Sequence, residues 1–471
     1  MSTFDFGFEE EGPLDEDRLH DLIKAYERKE PQAYFDSDAL EDIAAHYFEA
    51  GKLDAALVAI DQLLDTQPFS SDTWLRRGVL LSNMGRQDEA LEAYQKALAL
   101  NPTDAETLVN LGITLDSLGE AQRALEAFSK ALKYDPLNDE AHFSSGCTLA
   151  RTERISEAVA AFKLCAEQNP NHPEVWYELG YCYDRMAEDE QSIACYDRHL
   201  DLDPYAHEAW FNRAIVLERL QRMEEALHSY EMAIVIDEGF LSAYYNKGNT
   251  LAFLGRFDEA IESYKCVLKL KGPDAPAYCN IALAYEEQGQ HKEGTRYFKK
   301  ALQQDKALAE AWHGLGCSLF VQKRYKQAVA AHQHATDLRR NCGDFWSAKA
   351  EAQYKAGQLK ESIKSFRRVT ILEPESHYAW MDYADTLFDA EHYAAACAAY
   401  QKALQCSPEC PAAWFQLSGT FYSLGRKREF VQALVRSFSL DPANKDRFKE
   451  SCPDLYNDPE FRAVVGLDLG T

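Results

Sequence analysis

Positive charge is scarce in this chain. Its 471 residues hold 50 Lys and Arg against 77 Asp and Glu, a formal net charge of −27. Nucleic acid is bound through Lys and Arg that displace counterions from phosphates, so no general nucleic-acid binding is expected. The acidic surplus favours solubility and basic partners. Long apolar runs are missing too. None approaches the roughly 18 residues needed to span a bilayer, and no membrane insertion is expected. The opening stretch MSTFDFGFEEEG lacks the basic and apolar regions of a signal peptide. The expectation is a cytoplasmic protein. Nor does the sequence contain a P-loop, a dinucleotide-binding fingerprint or an HExxH motif, each of which would mark a site for phosphate, cofactor or zinc. No enzyme, no catalytic residue and no cofactor are expected.

Twelve cysteines are present. In a long chain without a secretory leader they read as reduced thiols. Cys406 and Cys410 lie close together, but no second Cys or His pair follows at zinc-site spacing. No metal site is expected.

What the chain has in abundance is repetition, with a period of 34 residues. Small residues recur at one phase, as at Gly78, Gly112, Gly146, Gly180, Ala214, Gly248, Ala282 and Gly316. Twelve positions further on a second small residue recurs, as at Ala90, Ala124, Ala158, Ala226 and Ala260. The last repeat breaks that rule with Phe430. An aromatic residue stands four before the first small site, as at Trp74, Trp176, Trp210, Trp312 and Trp414. Another stands four after the second, as at Tyr94, Phe128, Phe162 and Tyr264. Turn prolines close many units, among them Pro68, Pro136 and Pro204. A fixed period of this size indicates stacked supersecondary units. Each unit holds two helical patterns of about 14 residues, split by a short turn that often carries a glycine such as Gly85 or Gly255. The facing small residues let two helices approach closely. The second-helix rings fill the space towards the next unit, and stacking makes the core continuous.

The units resemble the tetratricopeptide repeat (TPR): aromatic, Leu-Gly, aromatic or Leu, then Ala, Phe or Tyr, Ala and Pro. Twelve of them cover residues 37–444. The resemblance implies an all-α fold, a right-handed superhelical solenoid of tandem helix–turn–helix repeats. Residues 1–13 read as an acidic disordered tail and residues 14–36 as an N-terminal capping helix with Leu19, Leu22, Ile23 and Tyr26 on one face. Residues 445–471 read as C-terminal capping helices and tail, with Phe448, Phe461, Val464 and Val465 supplying the apolar contact. The join from Arg339 to Phe345 departs furthest from the pattern: if the array bends or opens anywhere it is there, and the alternative is ordinary tolerance, because a turn does not require Pro.

The resemblance further implies that the first helix of each unit lines a concave groove that binds a protein or peptide. Two residues before the small site stand Asn110, Asn212, Asn246 and Asn280. An Asn amide offers two donors and an acceptor, which match the backbone of an extended peptide. The same amides equally serve to brace neighbouring helices. Three before the small site stand Tyr177, Phe211, Tyr245 and His313, either facing a ligand as interface anchors or packed between units. No Lys occupies that phase, so the carboxylate clamp of chaperone-docking relatives is not expected. Arg151, Arg185 and Arg219 recur five after the small site. They would hold carboxylates or phosphates of a ligand, or pair with acids such as Asp184, Glu218 and Glu178. The reading is a non-enzymatic interaction scaffold or adaptor. The alternative is an assembly component that self-associates, or packs into a larger complex, through its outer faces.

Overall fold

The computed structural model describes residues 16–28 and 35–465. The acidic stretch 1–13 lies outside them. Among the described residues every regular element is a helix. The chain divides into two compact units, one up to Glu238 and one from Gly239.

In the first unit α1 (Glu16–Glu27) precedes six helix pairs: α2 (Ser37–Glu49) with α3 (Leu53–Thr66), α4 (Ser71–Asn83) with α5 (Gln87–Leu100), α6 (Ala105–Ser117) with α7 (Ala121–Tyr134), α8 (Asp139–Arg151) with α9 (Ile155–Gln168), α10 (Val175–Arg185) with α11 (Asp189–Leu202), and α12 (His207–Arg219) with α13 (Met223–Ile236). In the second unit the pairs are α14 (Leu241–Phe253) with α15 (Phe257–Lys271), α16 (Ala275–Glu287) with α17 (His291–Gln304), α18 (Ala309–Val321) with α19 (Tyr325–Leu338), α20 (Gly343–Lys355) with α21 (Leu359–Leu372), α22 (His377–Asp389) with α23 (Tyr393–Cys406), and α24 (Pro411–Ser423) with α25 (Lys427–Leu440). Three short helices follow: α26 (Asn444–Ser451), α27 (Pro453–Asn457) and α28 (Pro459–Val465).

Local chemistry starts and stops these helices. Asp36, Ser70, Asp104, Asn138, Asp274 and Ser376 each accept a hydrogen bond from the backbone N–H three residues on. That satisfies a donor the helix itself leaves open. The turn inside each pair needs one left-handed residue. Gly255 supplies it at φ +75°, but Ala187 holds the same phase at φ +57° and Glu153 at φ +64°.

A third device joins the pairs. All seven tryptophans sit at the first-helix aromatic phase, and each indole N–H donates to the carbonyl six residues earlier, in the preceding turn. Where His142 replaces the tryptophan, its Nε2 lies 3.2 Å from Pro136 O. The ring must therefore carry its proton on that nitrogen.

The second-helix rings lie over the small residue of their own pair. A Cβ on Gly146 would stand 2.5 Å from the Phe162 ring, and one on Gly248 2.6 Å from Tyr264. The missing Cβ makes the seat for the ring, so small site and ring are one packing unit. His332 occupies the ring position against Gly316 and is buried.

In the first unit Ile23 of α1 is buried among α2 and α3 residues, with Leu19, Leu22 and Tyr26 beside it. In the second, Phe430 stacks on Phe461 at 5.8 Å and lies 6.2 Å from Phe448. The break in the small-residue rule is thus a contact with the terminal helices. At the join 339–345 the ordinary-tolerance alternative holds for the packing: Phe345 is buried against Ala309 and Ala335. An apolar anchor outweighs an unusual turn sequence there. All twelve cysteines are free thiols. Cys182 and Cys279 are buried, which pushes each up to about 11. No helix among the described residues is long and apolar enough to cross a membrane.

Candidate functional site

The candidate residues sit on the first helices, and each unit arranges them differently. In the first unit, Asn212 Nδ2 donates to the Tyr177 hydroxyl at 3.0 Å. Tyr177 packs edge-on against Tyr196 at 5.9 Å, and Phe211 lies 5.8 Å from Tyr230. Ladder amide and ladder ring therefore brace each other across two pairs. Asn110 is buried, and its amide donates to Glu106 O within its own helix.

The three arginines are engaged. Arg151 pairs with Asp116. Arg185 Nη2 lies 2.5 Å from Glu153 Oε2. Arg219 reaches Asp184 at 2.6 Å and Asp189 at 2.5 Å, and those two hydrogen bonds hold its guanidinium firmly protonated. Each arginine spans back to the preceding pair. Exposed pairs of this kind contribute at most about 1 kcal/mol.

In the second unit, Tyr245 donates to Asp274 Oδ2 at 2.7 Å, beside the helix cap that Asp274 makes. Burial, and that bond, push its hydroxyl up. His313 stacks on Phe345 at 4.7 Å, and its Nδ1 is buried without a hydrogen-bond partner. Burial lowers its affinity for a proton. The backbone carbonyl of Asn246 accepts from Thr250 Oγ1 at 2.9 Å within the helix.

Asn280 is placed differently. Its Nδ2 donates to Asn249 Oδ1 at 3.3 Å, and the same oxygen accepts from the Tyr264 hydroxyl at 2.7 Å. Both amides line a cavity of about 500 Å³, whose walls include Phe253, 69% exposed, and Leu283, 49% exposed. A second cavity of about 560 Å³ lies further along the unit, lined by Glu351, Asp382, Asp385, Asp389 and Tyr354. The Tyr400 hydroxyl donates to Asp385 and that of Tyr354 to Asp389, each at 2.5 Å. Burial pushes the Asp382 carboxyl up to about 6, and the charges of Asp385 and Glu351 add to it.

Both cavities draw on the same helix phases: two before, one after and five after the small residue. Asn280 and Asp382 hold the first phase, Asn249, Leu283, Glu351 and Asp385 the second, Phe253 and Asp389 the third. The second and third phases carry lining residues that a search for an Asn ladder passes over. The period itself exposes them once every phase of the first helix is read, because positions three and four apart share a helix face.

Family models for the tetratricopeptide repeat match residues 71–104 and 242–272, 190–239, 347–411 and 384–444, 93–126, and 139–172, 173–205 and 275–307. The chain is a tetratricopeptide repeat protein. Membership supports a protein–protein interaction scaffold. Among solved structures, this TPR chain is similar to YrrB, a TPR protein with an unusual peptide-binding site, at 24% identity and TM-score 0.38, covering 42% of this chain and 99% of YrrB. It is similar to a chain of the APC/C hetero-tetramer Cut9–Hcn1 at 14% identity and TM-score 0.40, covering 85% and 98%. PilF of Pseudomonas aeruginosa matches at 19% identity and TM-score 0.41, covering 44% and 94%. At these scores the likenesses say nothing about what the TPR chain binds. No curated protein matches it.

Proposed function

We propose that the chain is a non-enzymatic cytoplasmic scaffold that holds an extended segment of another protein along its first helices, with the Asn249–Asn280 cavity as the main anchor. The observation that carries this is the pairing of two side-chain amides with two exposed apolar side chains in one cavity. Amides match peptide N–H and C=O groups whatever the side chains, while Phe253 and Leu283 take an apolar residue. An apolar anchor beside satisfied polar groups is the composition of interface centres. The chain's acidic surplus favours a segment that also carries basic residues.

The test is to select peptides from a random library with the intact chain and measure their affinity for Asn280→Ala and Asn249→Ala variants. A loss of tenfold or more in the double variant, with an unchanged helical spectrum, supports the assignment. Equal affinity removes the groove from it.

A second reading rests on Phe69, Leu137 and Tyr205, which stand at one phase of the first unit and are 84%, 67% and 78% exposed. Apolar side chains at such exposure suit an assembly contact through the turns. Light scattering over a range of concentrations separates the readings, because a peptide scaffold keeps its mass while a self-associating chain gains it.

A further inference from the structure

A third cavity, of about 570 Å³, opens in the second unit between α19, α20 and α21. Unlike the other two it is lined largely by second helices, and its charge runs against that of the chain. Arg340, Lys349, Lys364 and Arg368 face it, against only Asp337 and Glu361, in a protein of net charge −27.

Lys349 is the informative member. It is 5% exposed, and it makes no ion pair among the described residues. Its ammonium rests 4.2 Å from the Trp346 ring centroid. Burial lowers its affinity for a proton, which the nearby Asp337 only partly offsets. A buried charge without a counter-ion is costly, so its retention asks for an explanation.

The repeats supply the comparison. Lys349 is in phase with Arg77 and Arg213, and Gln333 is in phase with Asp61 and Asp197. Arg77 Nε lies 2.8 Å from Asp61, and Arg213 Nε 2.6 Å from Asp197. Where those repeats hold a cation and its carboxylate, this one holds the cation and an amide. The internal counter-ion is gone and a cavity stands in its place. Around it Arg368 forms a half-buried wall, with Arg340 and Lys364 exposed at the rim. Among the described residues Arg368 makes only a long bond of 3.4 Å to Asn341. Asp337 is already engaged by Gln333, whose Nε2 donates to it at 2.8 Å.

We propose that this cavity binds a phosphate monoester, with Lys349 as the buried counter-charge and Arg368 and Arg340 as its guanidinium donors. Against Asp337 and Glu361 the four cations leave a surplus of two positive charges, which matches the charge of a phosphate monoester, and a phosphate offers three strong acceptor oxygens. Guanidinium binds such oxygens two at a time, while ammonium acts as a point charge. The source is either a small phosphate ester or a phosphorylated side chain of a partner, since both present the same group.

Calorimetry on the full chain, with inorganic phosphate, O-phosphoserine and a neutral phosphoserine peptide as probes and acetate as control, tests this. One saturable site is expected for the phosphates and none for acetate. Lys349→Met should weaken binding at least tenfold. Gln333→Asp, which restores the counter-ion of the other repeats, should weaken it similarly while raising the melting temperature without ligand. That variant keeps the test sound if Lys349→Met folds poorly. A peptide at least tenfold tighter than free phosphate points to a phosphorylated partner, and equal affinity to a small ester. Absent saturation, equal binding of acetate, or unchanged affinity in both variants overturns the proposal.

Discussion

Adding one methyl group at Gly248 should destabilise the second unit, and adding it after removal of the Tyr264 ring should stabilise it. The Cβ of Gly248→Ala would stand 2.6 Å from Tyr264 Cε1 and 2.9 Å from Cδ1 and Cζ, about 1 Å inside a comfortable carbon–carbon contact. The ring cannot simply withdraw, because its hydroxyl is tied to Asn249 Oδ1 at 2.7 Å. Overpacking of this kind costs about 1–3 kcal/mol, and the strained hydrogen bond about 1 kcal/mol more. Alanine returns about 1 kcal/mol of helix propensity relative to glycine. The net is a loss of about 1–3 kcal/mol. In a Tyr264→Ala background the clash and the bond are absent and only the propensity remains, so the same methyl group should stabilise by about 1 kcal/mol. Urea unfolding of the four proteins, with hydrogen exchange read on α14 and α15, gives both differences. An equal cost of Gly248→Ala in the two backgrounds would refute the claim that small site and ring form one packing unit.

Two further outcomes follow from geometry at single residues. Ala187→Gly should stabilise the first unit: a left-handed alanine costs about 1–2 kcal/mol, and the freer unfolded glycine takes back about 0.5–1 kcal/mol, which leaves a modest gain visible in thermal unfolding. The Asp382 carboxyl, pushed up to about 6 against an ordinary 3.8, binds its proton more tightly in the folded chain. It therefore favours folding below the ordinary value and loses that contribution as pH rises through about 6; carbon-detected NMR titration should show the step, and Asp382→Asn should abolish it.

Much of the fold was legible because a repeat states its rules many times over. A single Gly112 or Trp210 says little, but the same phase twelve times over separates helix faces. The exceptions were legible as exceptions and not as structures. Phe430 in an alanine position signals a change, yet only the stacked rings of Phe461 and Phe448 show that it is a contact with terminal helices. The join at 339–345 left two readings open in the sequence, an opening or ordinary tolerance, and the packing of Phe345 selects the second. The candidate site was less legible still. Asn212 and Asn280 are the same residue at the same phase, but one braces a tyrosine and the other borders a cavity. What separates them is the neighbour thirty-odd residues away, Tyr177 in one case and Asn249 in the other. A search by one phase sees the residue and not its partner. The cation at Lys349 shows the converse: comparing two phases at once, with Gln333 in place of Asp61, shows the missing carboxylate in the sequence, while the cavity beside it appears only in the structure.

An array of identical units has no built-in length: whatever lets unit n receive unit n + 1 lets it receive another. Phe430 ends that succession. By filling an alanine seat with a ring that α26 and α28 cover, the chain writes a full stop in the same alphabet as its repeats.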